Sequence, residues 1–99
     1  MPVLISKDTT FIVQGITGRE AVNLTRENLD YGARIVGGVT PGRAGRDVYG
    51  VPVYDCVRDV TAEQHVDGSV VCVPPRFTRD AAVEALENGI KLIVIVTED

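Results

Sequence analysis

Ninety-nine residues with a net charge of −4 suggest one layered domain with a real core, small for a complete metabolic enzyme. An apolar content of 44% beside 24% charged residues, with three Tyr, two Phe and no Trp, describes a soluble globular chain without a stacking platform for single-stranded nucleic acid. The acidic balance also argues against broad contact with nucleic acid or an anionic membrane.

The lead Met1-Pro2-Val3-Leu4-Ile5 is too short and too poor in positive charge for a targeting segment, and no apolar run reaches transmembrane length. Thr10-Phe11-Ile12-Val13-Gln14 then forms a continuous apolar run, which predicts a buried parallel strand. It breaks at Gly15-Ile16-Thr17-Gly18 and runs into a helix with Ala21, Leu24, Asn28 and Tyr31 on one face and Gly32 as its stop. Strand, glycine turn and helix in that order aim the free N–H groups of the first helical turn at an anion.

A second strand, Arg34-Ile35-Val36-Gly37-Gly38-Val39, ends in the turn-rich cationic loop Thr40-Pro41-Gly42-Arg43-Ala44-Gly45-Arg46. Val51-Pro52-Val53-Tyr54 is a short strand whose proline suggests a sheet edge. Asp55 is placed to cap a helix from about Cys56 to Gln64, before the buried strand Gly68 to Val73. After Pro74-Pro75-Arg76-Phe77, Thr78 is the expected N-cap of a helix with Ala82, Ala85, Leu86 and Gly89 on one face, and Leu92 to Val96 is the last strand.

Alternating strands and helices predict an α/β Rossmann-like domain spanning 1–99. Its five-stranded parallel sheet has order 3-2-1-4-5 and helices on both faces. A ligand in such a sheet lies beyond the carboxyl ends of the strands at the switch point, here flanked by the loops starting at Gly15 and Pro74. Arg19, Arg43, Arg46, Arg76 and Arg79 all fall after strands or at helix starts, so an acidic chain presents a local cationic pocket.

Two nucleotide motifs fail. Counted from Gly15, the later glycine places of G-x-G-x-x-G hold Thr17 and Glu20, and the second strand ends in Val39-Thr40 with no acid for a ribose. No P-loop motif occurs. Arg43 and Arg46 suit an extra phosphate on a ribose, because guanidinium groups bind phosphate in a bidentate fork. Coenzyme A carries such a phosphate.

The blocks Gln14-Gly15-Ile16-Thr17-Gly18, Gly37-Gly38-Val39-Thr40-Pro41-Gly42, Gly50-Val51-Pro52-Val53, Val73-Pro74 and Gly89-Ile90-Lys91-Leu92-Ile93 with Thr97-Glu98 resemble the N-terminal CoA-binding domain of succinyl-CoA synthetase alpha subunits. The likeness covers the whole chain in order and with matching spacing. It implies a Rossmann-like CoA-binding fold in which Thr17, Gly18, Arg19 and Glu20 contact CoA beside Gly15. Arg43 stands beside Pro41 where the family has a lysine, Val73 and Pro74 line the site, and Val96, Thr97 and Glu98 form a third contact. Arg19-Glu20-Ala21 replaces a more Gly-rich turn, and Pro75-Arg76 replaces a small residue and proline.

The resemblance further implies a ligase of the tricarboxylic acid cycle that joins an acid to CoA, through a phosphohistidine on a second domain and a nucleotide site on a beta subunit. Neither part is in these residues, so the chain is expected to bind CoA or an acyl-CoA without ligating it, and to need a beta subunit or a separate phosphohistidine domain as partner. The alternative reading is a regulatory module of the same fold that binds NAD(H) or an acyl-CoA. His65, the only histidine, is expected in a solvated loop at the opposite end of the sheet, with no metal site. Asp55 with Asp59 and Glu84 with Glu87 read as a cap and exposed helix surfaces, not as acid/base pairs. Cys56 and Cys72 are too far apart for a CxxC motif and read as structural thiols in a reducing, cytoplasmic setting. A domain built to pack on others leaves apolar surface exposed, which predicts self-association into a dimer or higher assembly.

Overall fold

The computed structural model describes residues 6–96. Strand β1 (Thr10–Gln14) is the buried centre, with Phe11, Ile12 and Val13 fully shielded from solvent. Side chains alternate across a strand. Phe11 and Val13 therefore join one core cluster and Ile12 the other.

Helix α1 (Arg19–Tyr31) covers the first face and ends at Gly32, which adopts the left-handed conformation with φ of 100° and donates its N–H toward Asn28 and Leu29. Its buried stripe is Ala21, Leu24, Thr25 and Asn28, the i, i+3, i+4, i+7 spacing of a helix seated on a sheet. Tyr31, expected on that stripe, is 63% exposed. At 100° per residue it falls about 70° from the stripe's centre.

β2 (Arg34–Val39), β4 (Val51–Tyr54), β5 (Gly68–Val71) and β6 (Leu92–Ile95) complete a parallel set with β1. The expected five-stranded sheet needs a correction. A two-residue strand, β3 (Asp47–Val48), pairs antiparallel with β4, giving six strands in the order β3-β4-β2-β1-β5-β6. The five parallel strands keep the expected spatial sequence, but the Pro52 strand is not the edge.

Hydrogen bonding explains how a proline is tolerated there. Thr40 N–H donates to the Tyr54 carbonyl, a parity that sets the donor missing at Pro52 against the Val36 carbonyl. Val36 instead accepts from Gln64 Nε2 at 3.0 Å.

The other two helices cover the second face over Ile12, Val57, Val60, Ala85 and Ile90. α2 (Val57–Thr61) is shorter than expected, and Asp55 does not cap it. The Val57 N–H donates to Glu84 Oε2 of the third helix at 2.7 Å. Glu84 is thus partly buried and structural, not part of an exposed face. α3 (Pro75–Glu87) starts three residues before the expected Thr78 cap, because Pro75 is preorganised for the first helical position. Only Ala85 of its expected apolar stripe is buried, and Leu86 is 55% exposed.

Candidate functional site

The site is built where β1 turns into α1. Gly15 N–H donates to the Val39 carbonyl at 2.7 Å, tying the end of β1 to the end of β2, and Gly18 N–H donates to the Gly15 carbonyl at 3.0 Å, closing the turn. Gly18 is the N-cap of α1 and supplies no side-chain acceptor. The first-turn N–H groups, with no cap side chain over them, are aimed beyond the carboxyl end of the sheet.

Thr17 joins this turn to the next loop. Its N–H and hydroxyl lie 3.3 and 3.1 Å from Thr40 Oγ1. The segment 40–46 is in turn held by Asp55, whose Oδ1 accepts from Gly42 N–H at 2.9 Å and Ala44 N–H at 3.2 Å. Asp55 therefore organises the arginine loop. Arg43, between those two anchored amides, has an exposed side chain, as does Arg46.

Two cavities meet over this turn. One, of about 450 Å³, lies between the start of α1 and the ends of β5 and β6, lined by Gly18, Arg19, Glu20, Ala21, Val96 and the Cys72–Pro75 segment. The second, of about 480 Å³, lies between the loops after β1 and β2 and the inner side of α3; Gly15, Thr17, Pro41, Phe77, Asp80 and Glu84 are among its walls. Gly18, Cys72, Val73 and Pro74 border both. The two form a cleft at the point where the chain departs from β1 to opposite sides of the sheet, where open α/β sheets bind ligands.

Gly15, Thr17, Gly18, Arg19, Glu20, Pro41, Val73, Pro74 and Val96 all line this cleft. Arg43 stands on the adjoining loop and lines neither cavity. Thr97 and Glu98 lie outside the described residues.

Sequence reasoning missed part of the wall. Gln14 is 2% exposed, donates from Nε2 to the Ala81 carbonyl at 2.9 Å and accepts at Oε1 from the Ser69 hydroxyl at 2.7 Å. This network fixes α3 against the end of β1. Phe77 is 47% exposed at the cleft and carries the Arg76 guanidinium 4.7 Å from its ring centroid. Phe77, Ala81 and Glu84 follow i, i+4, i+7 spacing, the signal that could have marked a helix face lining the site.

The amino end of the sheet holds a separate cluster. Asp67 Oδ2 accepts from Thr10 N–H at 2.9 Å and from its hydroxyl at 3.2 Å, while Oδ1 pairs with His65 Nε2 at 2.7 Å. The Thr10 amide first, and His65 second, hold the Asp67 carboxyl below its ordinary value. His65 is 81% exposed at its side chain. Among the described residues no group of His, Cys, Asp and Glu could hold a metal ion, and no helix is long and apolar enough to cross a membrane.

Residues 6–99 match the family of the CoA binding domain. A succinate–CoA ligase (ADP-forming) alpha subunit of Archaeoglobus fulgidus is 47% identical over 96 residues, 97% of this chain and 33% of that protein. An ADP-forming sulfoacetate–CoA ligase subunit of Bilophila wadsworthia is 43% identical over 98 residues, again 33% of its length. The chain thus spans about a third of the relatives it matches. Among solved structures, a Rex-family repressor superimposes with a TM-score of 0.79 at 22% identity, covering 90% of this chain and 45% of that one. A conserved hypothetical protein of Pyrococcus furiosus gives 0.73 at 23% identity, with 89% and 74% covered. At such identity these two establish the fold.

Proposed function

The chain belongs to the CoA-binding domain family, and from that membership we propose that the cleft over the Gly15–Gly18 turn holds coenzyme A or an acyl-CoA. The observation that carries the reading is the meeting of two cavities at Gly18, Val73 and Pro74. An extended cofactor with a polyanionic nucleotide and a slender arm fits such a cleft better than a compact ligand does. The residues present suit the group. The start of α1, capped by Gly18 without a side-chain acceptor, offers N–H groups to phosphate, with Arg19 beside it. Arg43 and Arg46, on a loop braced by Asp55, are assigned to the phosphate on the ribose. Pro41, Val73, Pro74 and Val96 supply apolar wall, and Thr97 and Glu98 continue past it in sequence.

Bound CoA would supply a thiol that carries an acyl group. The chain's own contribution is to bind and orient that cofactor. We assign it the role of CoA-holding part of an acid–CoA ligase of the succinate–CoA ligase type, completed by a phosphohistidine domain and a nucleotide-binding beta subunit that lie outside these residues. The acid is left open, since its relatives include both succinate and sulfoacetate ligases. A regulatory NAD(H)-binding role is the weaker reading, because β2 ends in Val39-Thr40 and the Thr40 hydroxyl is already engaged by Thr17.

Titration of the ¹⁵N-labelled chain with CoA tests the location. Amide shifts concentrated at Gly15–Glu20 and in 40–46 are expected. Shifts confined to the His65–Asp67 end, or absent at saturating CoA, would refute it.

A further inference from the structure

The cleft has two branches of different chemistry. Gly18, the N-cap of α1, borders both, so a diphosphate seated on the first helical turn sends one end of its molecule into each. The branch toward β6 is walled by Arg19, Glu20 and Val96 among others and has no aromatic side chain. The branch toward α3 has the broader apolar wall, with Val39, Pro41, Val73 and Phe77.

Helix α3 turns one face into its branch. Phe77, Asp80, Ala81 and Glu84 stand at i, i+3, i+4 and i+7, and all four line it. Among the described residues Phe77 is the one aromatic side chain that lines either branch. The Arg76 guanidinium stands 4.7 Å from the ring centroid and lines neither. The cation therefore braces the ring on the side away from the cavity and leaves the other face to a ligand.

The two carboxylates of this face differ. Glu84 Oε2 already accepts from the Val57 N–H at 2.7 Å. Asp80 is exposed, and among the described residues no donor of the protein pairs with its carboxylate. An ionised carboxylate only accepts hydrogen bonds, and it repels phosphate. Its complement is an uncharged group that carries N–H donors.

Connectivity decides which end of the cofactor meets these groups. In CoA a single ribose carries the base, the extra phosphate and the link to the diphosphate. Thr40 and Pro41 line the branch toward α3, and no residue of 40–46 lines the other. With the ribose phosphate at Arg43 and Arg46, the base, one sugar away, enters the branch that Pro41 and Phe77 wall. We propose, on the premise that the cleft holds CoA, that this branch is a purine subsite. The ring of Phe77 stacks on adenine, and Asp80 accepts a hydrogen bond from the exocyclic amine N6. The thiol-bearing arm runs past Arg19 toward Val96. Asp80 is thereby the residue that selects the base, and Arg76 positions the stacking ring.

Calorimetric titration of the full chain with CoA and with etheno-CoA tests the subsite, with circular dichroism as the folding control. In etheno-CoA the N6 is bridged to the ring and has no N–H to donate. The wild type should bind it about tenfold more weakly than CoA. Asp80→Ala, at an exposed helical position, should bind the two ligands equally. A general effect of the lost charge on a polyanion would instead move both affinities and leave their ratio unchanged. Phe77→Ala should weaken CoA binding about tenfold. Equal affinities in the wild type, a ratio unchanged by Asp80→Ala, or a CoA affinity indifferent to Phe77→Ala would each overturn the purine subsite while leaving CoA binding standing. No heat with CoA would overturn the function of the cleft and the subsite with it.

Discussion

A methyl group at Gly15 would stand 2.3 Å from the Cys72 carbonyl oxygen and 2.8 Å from Val73 Cγ1, on a backbone with φ of 85°. Both the turn and the close approach of the Cys72-Val73 segment after β5 require glycine there. Gly15→Ala should destabilise the fold by about 2 kcal/mol or more, seen as a lowered denaturant midpoint, and should abolish CoA binding where the chain still folds. A Cβ at Gly38 would lie 2.4 Å from Ile16 Cδ1, so the second glycine block seats the first loop. These glycines were legible as motifs, but the atoms they make room for were not, because those atoms come from strands distant in sequence. Asp67 shows the same gap: its bonds to Thr10 span 57 residues. Its carboxyl, held below the ordinary 3.8 by the Thr10 N–H and then by His65, contributes stability that is present above that value and is lost as pH falls through the lower folded value. Acid unfolding should therefore be steeper below pH 3.8 in the wild type than in Asp67→Asn.

Among the elements, β1, β2, β5 and β6 were readable because each carries a short run of β-branched or apolar residues bounded by turn signals. β3 was not, since two residues, Asp47 and Val48, carry no period. Thr78 resembled a cap, yet a proline at the first helical position started α3 sooner. Asp55 and Glu84 illustrate what local reading misses. Asp55 resembled the cap of α2, but Gly42 and Ala44 offer it two amides across the sheet's end, and Glu84 reaches from α3 to the vacated Val57 N–H. Asp55→Ala removes the anchor on both sides of Arg43. Because the site is exposed, the stability loss should stay under about 1 kcal/mol. CoA should nevertheless bind about tenfold more weakly by calorimetry, because the arginine loop must then be ordered at the expense of binding energy. An unchanged affinity would separate Arg43 from the site.

The whole molecule is acidic, with a net charge of −4, yet the elements bring Arg19, Arg43, Arg46 and Arg76 to the carboxyl end of the sheet. The net charge argues only against broad contact with nucleic acid or membrane, and strand order leaves room for a polyanionic ligand by sorting charge along the strand axis. The doubly covered sheet and its switch point followed from alternation of strands and helices. The division of the cleft did not, because the α3 wall depends on the buried Gln14 network. Coenzyme A is the ligand that the CoA-binding family membership supports, and we assign its ribose phosphate to the arginine loop. Isothermal titration of the chain with CoA, dephospho-CoA and NADH tests that assignment most directly. The account predicts one-to-one binding of CoA, about tenfold weaker binding of dephospho-CoA, which lacks the partner assigned to Arg43 and Arg46, and no heat with NADH. Clear binding of NADH with none of CoA would contradict it.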